Sequence, residues 1–307
     1  MNTKKTRCAF GVRCHTFGEK ERELYAYGES YFGAGNTYLI LNVENKLKIP
    51  EEFHSIYFNH QEVLSAKDFL WFPEVAWKCG DYCYYAMHKI LKGYDYFWLA
   101  EPDVKICHPN ANVFFSEFEK FDHDFLATFL GPASEKLFFY HTAKVLEAPP
   151  MSCLFPITRL KVSQIEVLAN IRKKVTADFI KTKRSPNEYP NDEIFLATVT
   201  RRLNFRCAPL DKLSSFNFMM FRADKQTMFL EDDVRDMKGR FVVHPVLDEE
   251  SFVRKKERIF AGLLSSSGEL VGWVNDTLTT QPNPHIRKAL QNRFLNEAKK
   301  LLRINSD

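Results

Sequence analysis

Glu101 and Asp103, either side of Pro102 in YDYFWLAEPDVKI (94–106), are the pair in this chain whose type and spacing suit chemistry. The stretch opens as an apolar, aromatic run typical of a buried strand and then closes on two carboxylates. Pro102 donates no ladder hydrogen bond and fixes its own φ, so the strand is expected to stop or bulge there. Side chains alternate along an extended chain, which puts 101 and 103 on the same side, near enough to share one cation. Two hard oxygen donors suit Mn2+ or Mg2+, particularly where a diphosphate supplies further ligands. The competing assignment is structural, with Glu101 capping a helix and Asp103 pairing with Lys105.

Further residues carry a functional reading beside a structural one. His244, in RFVVHPV, ends an apolar strand before a proline; its neutral imidazole suits a metal, or it simply closes the strand. In YPNDEIFLATV (189–199), Asp192 and Glu193 open a helix, where acidic side chains are favourable whatever the function. Asp81 opens another helix and either contacts a ligand or caps it. Arg159, in FPITRL, suits a bidentate phosphate contact or an ion pair. Trp71 and Trp77 lie in the loop-like WFPEVAWKCGD and either stack on a sugar ring or pack, whereas Trp98 lies in the strand.

The elements that must position these residues alternate. Strands are expected at 7–14, 37–43, 55–59, 94–100 and 123–130. Helices are expected at 19–31, 80–92, 111–120, 160–174 and 191–203. Later strands are read at 204–210, 216–223 and 240–246. Such alternation predicts an α/β fold, a mostly parallel central sheet flanked by helices, whose ligand site lies beyond the carboxyl ends of the strands. The segment 181–192, with two prolines and mixed charge, reads as a mobile loop.

Composition sets the outer limits. The chain has 307 residues, 45% hydrophobic and 14% aromatic, with 28 Phe. That is enough for a large core in one domain, divided as 1–130, 131–285 and a C-terminal basic amphipathic helix, 286–307. Ile286, Leu290, Phe294, Ala298 and Leu301 fall at helical spacing, so this helix packs on a core or lies on an anionic membrane. Seven cysteines, an odd number without framework spacing, point to reduced thiols in the cytoplasm. A net charge of +4 gives no case for nucleic acid. No apolar run reaches the roughly 18 residues of a membrane span.

The stretch 94–106, followed by an aromatic helix and by FLAT on the next strand, resembles the GT-A class of nucleotide-sugar glycosyltransferases. Its wording is most like a fungal α-mannosyltransferase family whose acidic motif follows a similar Tyr- and Trp-rich strand. The close match covers about a dozen residues. The resemblance implies a GT-A-like, Rossmann-related fold in which Glu101 and Asp103 hold Mn2+ or Mg2+ on the diphosphate of a nucleoside diphosphate sugar. It implies a late histidine, here His244, as third ligand. It also implies an acidic base from the second half of the chain, Asp192 or Glu193, if the enzyme inverts; a retaining enzyme needs none. The loop after the first strand would meet the nucleotide through Arg13, His15 and Thr16, with Asn42, Asp81 and Arg159 as further contacts.

Residues 1–17 read as a first strand rather than as the membrane anchor expected of the fungal family, and the cysteines do not follow its luminal pattern. That shifts the expectation to a bacterial enzyme of surface polysaccharide or lipopolysaccharide synthesis. It would be cytoplasmic, with a glycan or lipid-linked glycan acceptor and a peripheral contact at the inner membrane face. Two alternatives stay open: a nucleotidyltransferase, for which GVRCHTFGEKERE lacks the usual glycine cluster, and a non-catalytic carbohydrate-binding protein on a degenerate transferase fold.

Overall fold

Strand and helix alternate along the chain as the hydrophobic pattern predicts. The computed structural model describes residues 6–41, 47–58, 63–65, 67–73, 75–222, 227–264 and 270–304. Its first elements are β1 (Cys8–Cys14), α1 (Glu19–Phe32), β2 (Thr37–Leu41), β3 (Ser55–Tyr57), α2 (Val75–Lys78), α3 (Asp81–Ile90) and β4 (Tyr96–Ala100). There follow β5 (Lys105–Ile106), α4 (Ala111–Phe115), β6 (Phe125–Pro132), β7 (Met151–Lys161), α5 (Val162–Thr182), α6 (Asp192–Arg202), β8 (Cys207–Pro209) and α7 (Leu210–Leu213). Seven strands form one sheet in the order β3-β2-β1-β4-β7-β6-β8. All run parallel except β7, which is antiparallel to both its neighbours. The fold is therefore α/β with a mostly parallel central sheet flanked by helices.

The aromatic richness is spent largely on the two faces of this sheet. Phe10 and Trp98 are register partners on β1 and β4. On their face Phe115 meets both rings, at 5.5 and 5.3 Å, and Phe114 and Phe118 pack behind. The opposite face holds α3 so closely that a Cβ on Gly11 would stand 3.0 Å from Met87 Sδ. Tyr82, Tyr84, Tyr85, Phe155, Tyr189 and Phe195 fill that side, all buried. Each such side chain contributes about 1.5–3 kcal/mol through burial.

Beneath α3 lies a fully buried ion pair. Arg172 of α5 donates through Nε and Nη2 to the two oxygens of Asp81, at 2.8 and 2.7 Å, and through Nη1 to Pro190 O at 2.7 Å. Its guanidinium also lies 3.8 Å from the centroid of the Phe195 ring. A buried charge needs this degree of satisfaction to remain charged.

Some expectations are revised. The long strand β7 occupies residues assigned to no strand, and α5 begins at Val162 rather than at 160. Pro156 falls in the register shift between β6 and β7, where a missing N–H is tolerated. In place of the strand expected at 216–223, the described residues 216–222 make single bridges, at Asn217 and Phe221. The expected strand at 240–246 becomes two short pieces, β10 (Val242–Val243) and β11 (Val246–Leu247), parted at the cis His244–Pro245 peptide. The segment 181–192 contains a short helical turn closed by Ser185 and Glu188, and Tyr189 is fully buried.

The chain forms two compact units, divided after Met220, Met237 and Val242. The sheet belongs to the first. The second comprises 221–237 and 243–307 and includes β9 (Phe229–Leu230), α8 (Glu231–Val234), α9 (Glu249–Leu264), α10 (Leu270–Thr280) and α11 (Pro284–Ile304). It has a core of its own, built on Phe252, Val253, Phe260, Ile286, Leu290 and Phe294, with Phe260 and Phe294 stacked at 4.5 Å. Ile286, Leu290, Phe294 and Ala298 of the C-terminal helix are thus used in packing. Among the described residues no helix is long and apolar enough to cross a membrane.

Candidate active site

β1 and β4 lie side by side, and the sheet extends from them in opposite senses, to β2 and β3 on one side and to β7, β6 and β8 on the other. Such a switch point leaves a crevice beyond the carboxyl ends of the two strands. Glu101 stands there, one residue past the end of β4. Its N–H still bonds Pro156 O at 2.8 Å, so its backbone is held by β7. The Val104 N–H bonds Glu101 O at 3.1 Å, closing a turn with Pro102 at the second position, where a fixed φ is favoured. It is this turn, rather than strand alternation, that sets Asp103 beside Glu101. One carboxylate oxygen of each lies within 4.8 Å of the other.

Arg13, near the end of β1, is the cation of this group. Its Nη1 donates to Glu101 Oε1 at 2.6 Å and lies 3.4 Å from Asp192 Oδ2. Its Nη2 donates to Trp77 O at 2.8 Å. Burial opposes the Arg13 charge, and Glu101 and Asp192 more than restore it, so its pKa is raised. Arg13, expected at a nucleotide, holds the Glu101 carboxylate in the structure.

Asp192 and Glu193 begin α6 behind the Asn191 N-cap, whose side chain accepts the Ile194 N–H at 3.1 Å. Asp192 is buried and accepts from Gly80 N–H and Glu193 N–H, both at 2.8 Å. Burial pushes its carboxyl well above the usual range, and the Arg13 guanidinium draws it back. Glu193 is half-buried and accepts from Phe155 N–H and Asn191 Nδ2, both at 3.3 Å. Burial and, after it, the Glu101 charge push Glu193 up to about 7, against the pull of the Phe155 N–H. One guanidinium thus faces an excess of carboxylates, an arrangement that favours a bound cation.

The remaining candidates lie elsewhere. Both oxygens of Asp81 are held by Arg172, and Tyr85 adds a third bond at 2.7 Å, so Asp81 braces α3 against α5. Arg159 donates to the carbonyls of Phe118, Phe121 and His123 beneath the Tyr96 ring. The Thr16 hydroxyl donates to Glu21 Oε1 at 2.8 Å, and His15 is exposed. Asn42 lies outside the described residues. His244 belongs to the second unit, where its Nδ1 is 2.6 Å from Arg222 O and its ring packs on Phe221. Donation from Nδ1 to a carbonyl places the lone pair of a neutral imidazole on Nε2, the tautomer a metal requires.

The sequence reading missed the backbone share of the site: the Trp77 carbonyl, the Phe155 N–H and, above all, Gly80. A Cβ at Gly80 would lie 2.4 Å from Arg13 Nη1, 2.6 Å from Asp192 Oδ2 and 2.7 Å from the Phe155 ring. A glycine immediately before the helix in WKCGD was the available signal.

Neither a protein-family model nor a curated protein matches the chain. The likeness to the mannosyltransferases therefore rests on the dozen residues around Glu101. Among solved structures, mouse xyloside xylosyltransferase 1, apo form, is 12% identical with a TM-score of 0.36, covering 77% of this chain and 97% of that one. Mannose-1-phosphate geranyltransferase from Thermus thermophilus is 8% identical with a TM-score of 0.38, covering 74% and 82%. At such scores the functional reading is carried by the site itself.

Proposed function

We propose that the chain is a metal-dependent glycosyltransferase of the GT-A class, moving a sugar from a nucleoside diphosphate sugar to a hydroxyl of a glycan or glycolipid. The observation that carries this reading is the Glu101–Asp103 turn at the β1/β4 switch point, braced by Arg13. The donor set fits a hard divalent cation: two carboxylate oxygens within 4.8 Å, the first already oriented by a guanidinium. Glu101 and Asp103 would hold Mn2+ or Mg2+, with His244 as third ligand through Nε2. Once bound, the ion would supply Lewis-acid neutralisation of charge on the departing diphosphate.

Asp192 and Glu193 take different parts. Asp192 is a positioning residue, locking Gly80 and Arg13 in place. Glu193, half-buried and titrating near neutrality, is the better placed base for an acceptor hydroxyl in an inverting reaction. The nucleotidyltransferase alternative is disfavoured at the first turn of α1. There the Glu21 carboxylate accepts from Gly18 N–H at 2.8 Å and from Thr16, so an acidic side chain fills the place a phosphate would take.

The test is binding of Mn2+, alone and with GDP or UDP, to the wild type and to Glu101→Ala/Asp103→Ala, by calorimetry and thermal shift. The wild type is expected to bind Mn2+, to bind one of the two nucleotides only when Mn2+ is present, and to lose both in the double variant. His244→Ala is expected to weaken Mn2+ about tenfold or more. Undiminished Mn2+ and nucleotide binding by the double variant would sink the proposal.

A further inference from the structure

The C-terminal helix α11 concentrates charge as no other part of the chain does. Pro284–Ile304 carries three arginines and three lysines against Glu297 alone, a net charge of +5. The whole chain carries +4, so everything outside this helix sums to −1. The apolar side of α11 is already occupied. Ile286 and Leu290 are buried, Phe294 stacks on Phe260 at 4.5 Å, and Ala298 packs on the same core. The outer side is built differently. At about 100° per residue, Lys288, Leu295 and Lys299 fall within about 40° of one another, on the side away from that core. All three are exposed, Leu295 by 54%. Arg287 bonds the Gln281 carbonyl at 2.6 Å and Arg293 reaches Glu257 at 3.5 Å, so those cations have partners. Among the described residues the ammonium groups of Lys288 and Lys299 have no hydrogen bond or ion pair.

We infer that the outer face of α11 docks on an anionic lipid surface, with Lys288 and Lys299 on the headgroup phosphates and Leu295 entering the acyl boundary. Two features choose this partner. A charge of +5 along a helix of 21 residues matches a surface of fixed negative charge, and the remainder of the chain supplies no comparable counter-charge. Leu295 lies two turns from Lys288 and one from Lys299, where an apolar layer directly beneath phosphates would receive it. A nucleic-acid backbone offers the lysines the same phosphates but leaves Leu295 in water. Because the apolar stripe of α11 is committed to its own core, the helix does not immerse as a free amphipathic helix would. Docking is therefore shallow, reversible and sensitive to salt. The inference does not rest on the transferase reading.

The test is sedimentation of the whole chain with vesicles of phosphatidylcholine alone and of phosphatidylcholine mixed with phosphatidylglycerol. The wild type is expected on the mixed vesicles only, and more weakly as salt is raised. Lys288→Gln/Lys299→Gln should bind them about tenfold or more weakly, and Leu295→Asn about threefold or more weakly. All three side chains are exposed, so these variants should unfold at the wild-type temperature. Leu295→Trp should add a blue-shifted emission on mixed vesicles that the wild type lacks. A wild type that ignores the mixed vesicles, or a double lysine variant that binds them equally well, overturns the inference. So does a vesicle-bound Leu295→Trp protein whose added emission is unshifted. Tighter binding to a single-stranded oligonucleotide than to the mixed vesicles would overturn it too, and would make this face a nucleic-acid surface.

Discussion

Glu193 ties the chemistry of the site to the stability of the chain, because its carboxyl is pushed up to about 7 by burial. The folded value lies above the unfolded one, about 4.3 for a free glutamate. Between these values the folded state binds more protons than the unfolded state, so stability falls as pH rises through that window. The slope from this one residue is at most about 1.4 kcal/mol per pH unit. Urea denaturation of the wild type should therefore show a decline from pH 5 to pH 7.5 that Glu193→Gln reduces. The same residue predicts a rising rate limb with a midpoint near 7 if Glu193 is the base of an inverting reaction. A Glu193→Gln enzyme of near-normal rate would assign the residue to positioning alone. Arg13 separates itself from Glu193 at this scale, since a guanidinium does not titrate in the range and can only orient its carboxylates.

At the scale of elements, α3 and α5 are pinned by Asp81 and Arg172, and this pinning places Gly80 against Asp192. Replacing Arg172 by Met leaves a buried carboxylate without its partner and should cost about 3–5 kcal/mol. Replacing both residues by apolar ones of similar size should restore much of that loss, which urea denaturation of the single and double variants would read. A double variant no more stable than the single would show that the pair contributes more than mutual neutralisation. The legibility of these elements in the sequence follows their physics. Strands β1, β2 and β4, buried on both faces, announce themselves as continuous apolar runs, and α1, α3 and α6 by their periodicity and terminal residues. The strand β7 is obscured by Pro156 and Arg159, whose places only the neighbouring strands explain: a register shift for one, three carbonyls for the other. The candidate site was legible where side chains form it, at Glu101 and Asp103, which the structure brings together. It was hidden where backbone forms it, at Trp77 and Gly80, and ambiguous at Asp81 and Arg159, where a charge suits a ligand and a buried brace equally.

At the scale of the whole molecule the chain passes between two units three times, yet each unit closes a hydrophobic core of its own. The second unit depends on few large side chains, and Phe294 is central among them, stacked on Phe260 at 4.5 Å and 5.5 Å from Trp273. Truncating it to alanine removes both ring contacts and leaves a cavity, at a cost of about 3–5 kcal/mol. Because that loss falls within one core, its effect is expected to be local. Hydrogen exchange on Phe294→Ala should show lost protection in α9 and α11, with β1, β4 and β7 protected as in the wild type.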